Sequence, residues 1–155
     1  MGSNLIKVLR DQKYLFRGTH EKAYKIKEKF GYYYGRSNSI GDFFTSTSLD
    51  LVHAMFYGKH RWKQYNYRDP DLEDKSKPLL LAISSKNYET QKGTEGTEIL
   101  LKGKIDFKDI IKIESLSHFD AFCDVLGYDE KMKETLYNEF IAYFSRFPDV
   151  LGENI

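Results

Sequence analysis

Three short segments carry polar side chains from which a reactive site could be built. In the first, Arg17 precedes Gly18 in the run Phe16-Arg17-Gly18-Thr19. A guanidinium presents a rigid fork of donors that suits phosphate or sugar oxygens. A glycine lets a flat ligand approach the main chain. A structural salt bridge would explain the arginine equally well.

The second segment, Phe44-Thr45-Ser46-Thr47-Ser48, has four consecutive hydroxyl side chains. Such side chains can hold neighbouring groups in place by local hydrogen bonds, although a plain helix-capping turn is the alternative. No Ser-His-Asp arrangement accompanies them, which argues against a serine hydrolase. The histidines show no metal-ligand spacing, which argues against a metal site. They are His20, His53, His60 and His118.

In the third segment, Glu98 follows Glu95-Gly96-Thr97 and enters the apolar run Ile99-Leu100-Leu101. Burying a carboxylate without a partner is unfavourable, so this group is expected in a cleft with a partner or a ligand. A glutamate at a strand edge, with its carboxylate in water, is the alternative. None of the three segments is specific on its own.

The elements that must position these segments follow from hydrophobic spacing and turn residues. Strands are predicted at Lys13–Gly18, Phe43–Ser48, Leu79–Ser84, Glu98–Leu101 and Ile110–Glu114. Helices are predicted at His20–Phe30, Leu51–Tyr57, Ser117–Leu126 and Asp129–Phe147, with a short helix or lead-in at Leu5–Arg10. Loops are predicted at Gly31–Gly41, Arg61–Lys77 and Ser85–Thr97, the last of them mobile. Strands that are grouped between helices indicate an α+β fold.

The 155 residues fit one domain, with a core over about residues 13–116 and C-terminal helices over 117–147. A stripe at spacings of three and four predicts that the last helix packs on the domain, although a partner-docking surface is the alternative. The stripe contains Met132, Leu136, Phe140, Tyr143 and Phe147. The one cysteine, Cys123, lies in an apolar run and is expected in the core. With no apolar span or signal peptide, a cytoplasmic protein without a membrane partner is expected.

Taken together and in this order, the three segments resemble the arginine–serine–glutamate class of ADP-ribosyltransferases, which includes many bacterial toxins and phage enzymes. The resemblance covers roughly Tyr14–Leu116. It rests on the aromatic-Arg-Gly strand end, on Phe-Phe-Thr-Ser-Thr-Ser-Leu-Asp before a helix, and on Glu98. It implies split antiparallel β-sheets with flanking helices and NAD bound between the sheets, to which this chain adds a C-terminal helical extension.

The resemblance also implies a role for each residue. Arg17 would contact the NAD phosphate and ribose, and Gly18 would clamp the nicotinamide amide through its backbone. Ser46 would hold the architecture of the site near Glu98, which would bond the ribose and stabilise positive charge as nicotinamide leaves. Thr19, Phe44, Thr47 and Ser48 would complete the NAD site, and Tyr88 and Glu95 of the Ser85–Thr97 loop would meet the acceptor. NAD is the co-substrate, and no metal is needed.

The acceptor is less defined. Arginine-modifying members carry Glu or Gln two places before the catalytic glutamate, where this chain has Gly96. The first 60 residues carry 10 Lys/Arg against 5 Asp/Glu, and aromatic residues interleave with cations. That pattern favours a single-stranded nucleic acid, above all RNA, as acceptor, with protein as the alternative acceptor. Aromatic residues that fill the core and support the loops would give the same pattern. The residues are Tyr32, Tyr33, Tyr34, Trp62, Tyr65 and Tyr67, with Arg36, Arg61, Lys63 and Arg68.

Other functions stay open at this level. An NAD glycohydrolase would use water as acceptor, and a binding module would hold NAD or ADP-ribose without turnover. A toxin, a phage weapon and a defence effector are equally compatible with the sequence. A partner protein such as an antitoxin fits the first of these.

Overall fold

The computed structural model describes residues 11–68, 76–94 and 96–144. Within these ranges the fold is α+β, with four helices and a seven-stranded antiparallel sheet that does not close. The strands are β1 (Tyr14–His20), β2 (Arg36–Ser37), β3 (Phe43–Ser48), β4 (Pro78–Ser84), β5 (Thr90–Lys92), β6 (Glu98–Lys102) and β7 (Ile110–Lys112). The helices are α1 (Glu21–Phe30), α2 (Leu51–Arg68), α3 (Leu116–Val125) and α4 (Glu130–Phe144).

The sheet has two parts that meet at one point. Its strand order is β5-β6-β3-β1-β4-β7, and β2 also pairs with β3. β1 pairs with β4 along its whole length, and β3 pairs with β6 from Phe44 to Ser48. β1 and β3, in contrast, are in register at Phe16 and Ser48, while β2 pairs with β3 at Phe43 and Phe44. The edge of β3 between these two contacts, around Ser46, therefore faces a split in the sheet.

Each face of the sheet covers its own hydrophobic core. Phe16 and Leu80 point to the face covered by α2, α3 and α4. Leu81 and Leu101 point to the opposite face, where Tyr24 of α1 and other aromatic side chains cover them. Because successive side chains of a strand point to opposite faces, β4 is buried at every position.

The predicted helix starts are confirmed to within one residue. The prediction that the first strand ends at Gly18 is wrong, because β1 continues to His20, which caps α1. The side chain of His20 accepts a hydrogen bond from the amide of Ala23 at the start of α1. Asp50 Oδ1 accepts one from the amide of His53, at 2.7 Å, at the start of α2. Gly31 ends α1 with φ 84°, a left-handed conformation that favours glycine.

Two predicted loops contain regular structure instead. The prediction of a loop over Arg61–Lys77 is wrong at its start, because α2 continues to Arg68. Arg, Lys and Gln are good helix formers, and Trp62 gives this part of the helix a buried contact. The Ser85–Thr97 loop contains β5, whose exposed side chains show no apolar alternation and whose pairing with β6 is made by the backbone. The predicted element Leu5–Arg10 lies outside the described residues.

Helix α2 lies unusually close to β1 where two glycines meet. A Cβ on Gly18 would lie 2.1 Å from the carbonyl oxygen of Ala54 and 2.7 Å from the Cα of Gly58. A Cβ on Gly58 would lie 2.3 Å from the hydroxyl of Tyr143. That hydroxyl donates to the carbonyl of Leu79 at 2.9 Å. The helix, the strand and α4 are thus locked together at a point where no side chain fits.

The C-terminal helices pack on the domain, as predicted. Leu136 and Phe140 are fully buried, and the ring of Phe140 stacks on Phe119 at 4.4 Å. The predicted stripe is wrong at Met132, which is 46% exposed. The first turn of α4 buries Lys133 instead, because its Nζ forms ion pairs with carboxylates of α3. Phe147 lies outside the described residues, and Cys123 is buried in the core, as expected.

We predict that Phe140→Ala lowers the free energy of unfolding by about 3–5 kcal/mol, because it removes a fully buried ring and leaves a cavity. Met132→Ala, on the same helix but exposed, should change it by less than ~1 kcal/mol. Urea unfolding followed by circular dichroism measures both. Equal effects of the two substitutions would show that α4 does not pack as described.

Candidate functional site

Arg17 fills the split between the two parts of the sheet. Its Nη1 donates to the carbonyl oxygen of Ser46 at 2.8 Å, and its Nε donates to the hydroxyl of Tyr33 at 2.8 Å. The even-numbered residues of β3 turn their main-chain groups to this edge, as the bond from the Gly35 amide to the Phe44 carbonyl shows. The Ser46 carbonyl, which has no partner strand at this edge, is thus bonded by the guanidinium of Arg17. Arg17 is 8% exposed, so this side chain is part of the structure's interior.

Ser46 and Glu98 form the polar centre of the site. Ser46 Oγ donates to Glu98 Oε2 at 2.5 Å. The register of β3 and β6 pairs Ser48 with Glu98. Ser46, two residues before Ser48, is therefore a diagonal neighbour of Glu98 on the same face of the sheet. Glu98 Oε1 accepts a further hydrogen bond from the amide of Thr94 at 3.1 Å. Both carboxylate oxygens are therefore held by the protein.

Gly93 makes this position of the carboxylate possible, and sequence reasoning missed it. A Cβ on Gly93 would lie 2.2 Å from Glu98 Oε1 and 2.5 Å from Glu98 Cγ. The Gly93 amide also donates to the Glu98 carbonyl at 2.9 Å. Gly96, three residues further on, has nothing within 4 Å of such an atom. Both glycines lie in the predicted mobile loop Ser85–Thr97, yet the structure gives Gly93 a specific steric role.

Two cavities meet at Glu98. The smaller, of about 90 Å³, lies towards α2 and contains Arg17, Arg61 and Tyr57. The larger, of about 500 Å³, lies over β2, β3 and β5 and contains Arg36, Phe44, Gln91 and Lys92 among its lining residues. Ser46 and Glu98 line both cavities. The carboxylate can therefore act on a group that enters from either side.

Arg61 is a second cation of the smaller cavity that sequence reasoning did not assign to the NAD site. Its Nη1 donates to the carbonyl oxygen of Gly18 at 2.7 Å. Burial and, to a lesser extent, the charge of Arg17 lower the pKa of Arg61 to about 10. The sequence signal for this role of Arg61 is its spacing from Ala54 and Gly58, which places all three on the side of α2 that faces β1. The prediction of a loop from Arg61 onward concealed that helical spacing.

The Gly18 backbone faces the site, although its carbonyl is already bonded. The amide of Ser85 donates to the Lys13 carbonyl, and the amide of Glu21 donates to the Lys77 carbonyl. The odd-numbered residues of this strand thus bond to β4, so the main-chain groups of Gly18 point away from β4. Arg61 occupies the carbonyl that the resemblance assigns to the nicotinamide amide.

The remaining residues expected at the NAD site divide into two groups. Ser48 lines the smaller cavity and its hydroxyl lies 2.9 Å from that of Thr97, while Phe44 lines the larger one. Thr47 also lines the smaller cavity, and its Oγ1 donates to the Ile99 carbonyl at 2.7 Å, which connects β3 to β6. Thr19 is buried and lines neither cavity.

The residues expected to meet an acceptor are placed less uniformly. The Tyr88 hydroxyl bonds to the Asp109 carboxylate and accepts from the Asp106 amide, and its side chain lines neither cavity at Glu98. Glu95 lies outside the described residues, as do the side chains of Tyr67 and Arg68. Among the aromatic residues expected to stack on bases, Tyr33 and Trp62 are buried, Tyr65 packs on His20, and Tyr32 and Tyr34 are half-buried.

His20 adjoins the site and shares its electrostatics. Its Nδ1 lies 2.8 Å from the hydroxyl of Ser76. Burial, together with the nearby charge of Arg17, lowers the pKa of His20 to about 4. The imidazole is therefore neutral at pH 7 and acts here as an acceptor that caps α1.

No group of three or more His, Cys, Asp or Glu side chains suited to a metal ion occurs in the described part of the chain. None of the helices in that part is both long and apolar enough to cross a membrane. Comparison of the chain with protein-family models, curated proteins and solved structures finds no match.

We predict that the protein loses stability as the pH falls from about 6.5 to about 4, because His20 gains a proton in the unfolded chain before it does so in the fold. His20→Asn keeps a capping acceptor and does not titrate. Urea unfolding at about pH 7 and about pH 5 should show a larger loss of unfolding free energy for the wild type than for His20→Asn. An identical loss in both proteins would contradict a buried neutral His20.

Proposed function

We propose that this protein is an NAD-dependent ADP-ribosyltransferase in which Arg17, Ser46 and Glu98 act together. The observation that carries the proposal is the hydrogen bond from Ser46 Oγ to Glu98 Oε2. The main-chain carbonyl of the same serine accepts a hydrogen bond from Arg17. These residues are far apart in sequence, and each lies in one of the segments that carry the resemblance. The two-part sheet, with these groups at its split, supports the same assignment.

The geometry suits the departure of nicotinamide from NAD. The bond between the nicotinamide nitrogen and ribose C1′ breaks, its electron pair stays with the nicotinamide, and positive charge develops on the ribose. A carboxylate already fixed by Ser46 and by the Thr94 amide stabilises that charge without having to reorient. Because the charge is present mainly in the transition state, this interaction raises the rate rather than the affinity.

The charges of the smaller cavity suit a diphosphate. Arg17 and Arg61 place two guanidinium groups beside one carboxylate, Glu98. Guanidinium groups form strong paired hydrogen bonds with phosphate oxygens. The lowered pKa of Arg61 is due to burial and to Arg17, and both effects are offset when an anion binds beside it. In this proposal Arg61 moves from the Gly18 carbonyl to the diphosphate, which leaves that carbonyl to the nicotinamide amide.

The smaller cavity holds one end of NAD. Ligand pockets usually measure roughly 300–1,000 Å³, whereas this cavity measures about 90 Å³. It can take the nicotinamide end, while the remainder of the dinucleotide extends beyond it. The larger cavity, on the other side of Glu98, stays available to the acceptor.

Glu98→Gln should lower the rate of nicotinamide release by roughly 10²–10³-fold, the scale typical of losing one transition-state stabiliser. NAD binding should persist, because the amide keeps the shape of the side chain. Arg17→Ala should instead weaken NAD binding. Nicotinamide release is measured by chromatography, and NAD binding by calorimetry. Near-normal release by Glu98→Gln would exclude this site, and binding without any release by the wild type would indicate a binding module.

Gly93→Ala should also reduce nicotinamide release, because the new methyl group collides with the carboxylate of Glu98. Gly96→Ala is the matched control, since nothing lies within 4 Å of the methyl group it adds. Both variants carry the same substitution on the same connection. Rates and circular dichroism spectra of the two variants should be compared at saturating NAD. Equal rates with intact folds would show that the described position of Glu98 is not the active one.

A further inference from the structure

A row of three side chains crosses the sheet beside Glu98. The registers of β2, β3 and β6 pair Arg36 with Phe44 and Phe44 with Lys102. Side chains at paired positions lie on the same face, and so do side chains two residues apart along a strand. An aromatic ring flanked by two cations thus lies on the face that carries Ser46 and Glu98. Phe44 and Ser46 are two residues apart, or about 7 Å along the strand.

This row is accessible. Arg36 is exposed, and Phe44 and Lys102 are half-buried. Within residues 11–68, 76–94 and 96–144, no other ring stacks on Phe44. Its side chain lines both the 500 Å³ cavity at Glu98 and an adjoining cavity of about 380 Å³. The two cavities therefore form a continuous path from Glu98 across Phe44.

The path is basic along its length. Arg36 and Lys92 line its first part, and Lys102 and Lys104 line its second. Glu98 is the carboxylate that lines its first part. Asp42 lines the second part, where its Oδ2 lies 3.4 Å from the Asn38 amide nitrogen. Glu89 forms a loose ion pair with Lys102, at 3.8 Å.

A second aromatic surface lies on the opposite face of β3, because Phe43 and Phe44 are successive residues of one strand. The ring of Phe43, beside Phe44, lies 4.7 Å from Tyr34 and 5.7 Å from Tyr32. Lys104 Nζ lies 4.5 Å from the centre of the Tyr32 ring. These rings therefore lie behind the row of Arg36, Phe44 and Lys102 and do not belong to the face that carries Glu98.

We propose that this face binds a single-stranded nucleic acid and that this strand is the acceptor of ADP-ribose. One base stacks on Phe44, and Arg36 and Lys102 hold the phosphates on either side of it. Stacking on an exposed ring requires an unpaired base, so a duplex does not fit. The identity of the acceptor rests on the proposed transferase function, whereas binding of the strand can be tested without it.

The transfer step exchanges one bond to the ribose C1′ of NAD for another. The ribose C1′ of NAD loses its bond to nicotinamide, which leaves as a neutral molecule with the bonding electrons. A lone pair on an oxygen or nitrogen of the bound nucleotide forms the new bond to C1′. That atom then gives its proton to water. Glu98 lines both cavities, so it can stabilise the charge on C1′ between the leaving and the entering group.

Binding is tested first, with Glu98→Gln protein so that no turnover occurs. The probe is a fluorescent single-stranded RNA of about twelve nucleotides, compared with single-stranded DNA and with duplex RNA of the same sequence. Phe44→Leu should weaken single-strand binding about tenfold, because it removes one stacked base. Arg36→Gln with Lys102→Gln should reduce the salt dependence, lowering the slope of log affinity against log salt by about 1.4. Lys108→Gln with Lys131→Gln, both exposed and away from this row, is the matched control.

Transfer is tested next, with wild-type protein and labelled NAD. Label on the single strand, reduced by Phe44→Leu, is the expected result. Nicotinamide release without single-strand binding would overturn this inference and leave the proposed function standing. Label on protein from a lysate after ribonuclease treatment, with no label on RNA or DNA, would also overturn it. Single-strand binding without nicotinamide release would overturn the acceptor assignment and the proposed function but not the binding face. If the control pair changed the salt dependence as much as Arg36→Gln with Lys102→Gln, the binding face itself would be overturned.

Discussion

The architecture of the site depends on how the split in the sheet is closed. β1 and β3 are in register at Phe16 and Ser48, and beyond that pair their edges diverge. A sheet edge exposes main-chain groups that need partners. Arg17 supplies one to the Ser46 carbonyl and is itself fixed by Tyr33. A single side chain thus connects the two parts of the sheet, and the serine it holds also positions Glu98.

Glycines set the distances on which this arrangement depends. Gly18 and Gly58 bring α2 against β1, and this contact places Arg61 over the same strand as Arg17. Gly35 leaves room beside the Arg17 guanidinium, where an added Cβ would lie 3.2 Å away. Gly93 leaves room for the Glu98 carboxylate. In each case the missing side chain makes space for a charged group or for backbone, so charge and packing are determined together.

Much of this could be predicted from the sequence, but not the parts that depend on long-range packing. The strand at Phe43–Ser48 and the helix from His20 follow from local residue types, and both were predicted closely. The polar end of α2 was predicted as a loop because its helical contacts involve Trp62 and residues distant in sequence. The resemblance implies split sheets, whereas the described residues form one seven-stranded sheet in which β1 and β3 are in register at Phe16 and Ser48. The bond from Arg17 to the Ser46 carbonyl joins residues 29 apart in sequence. The role of Gly93 depends likewise on where a side chain lands, which no local pattern reveals.

The two parts of the sheet are joined by few contacts, so their separation bears on how a ligand would bind. In the proposed function the nicotinamide end of NAD occupies the cavity of about 90 Å³ beside Arg17, and separation of the two parts of the sheet would widen that cavity. The resistance to this motion is concentrated at the Phe16–Ser48 pair and at the Arg17 guanidinium. If NAD bound only to a wider form, its apparent dissociation constant would rise as that form became rarer. In that case, substitutions that weaken the junction without contacting the ligand would tighten NAD binding.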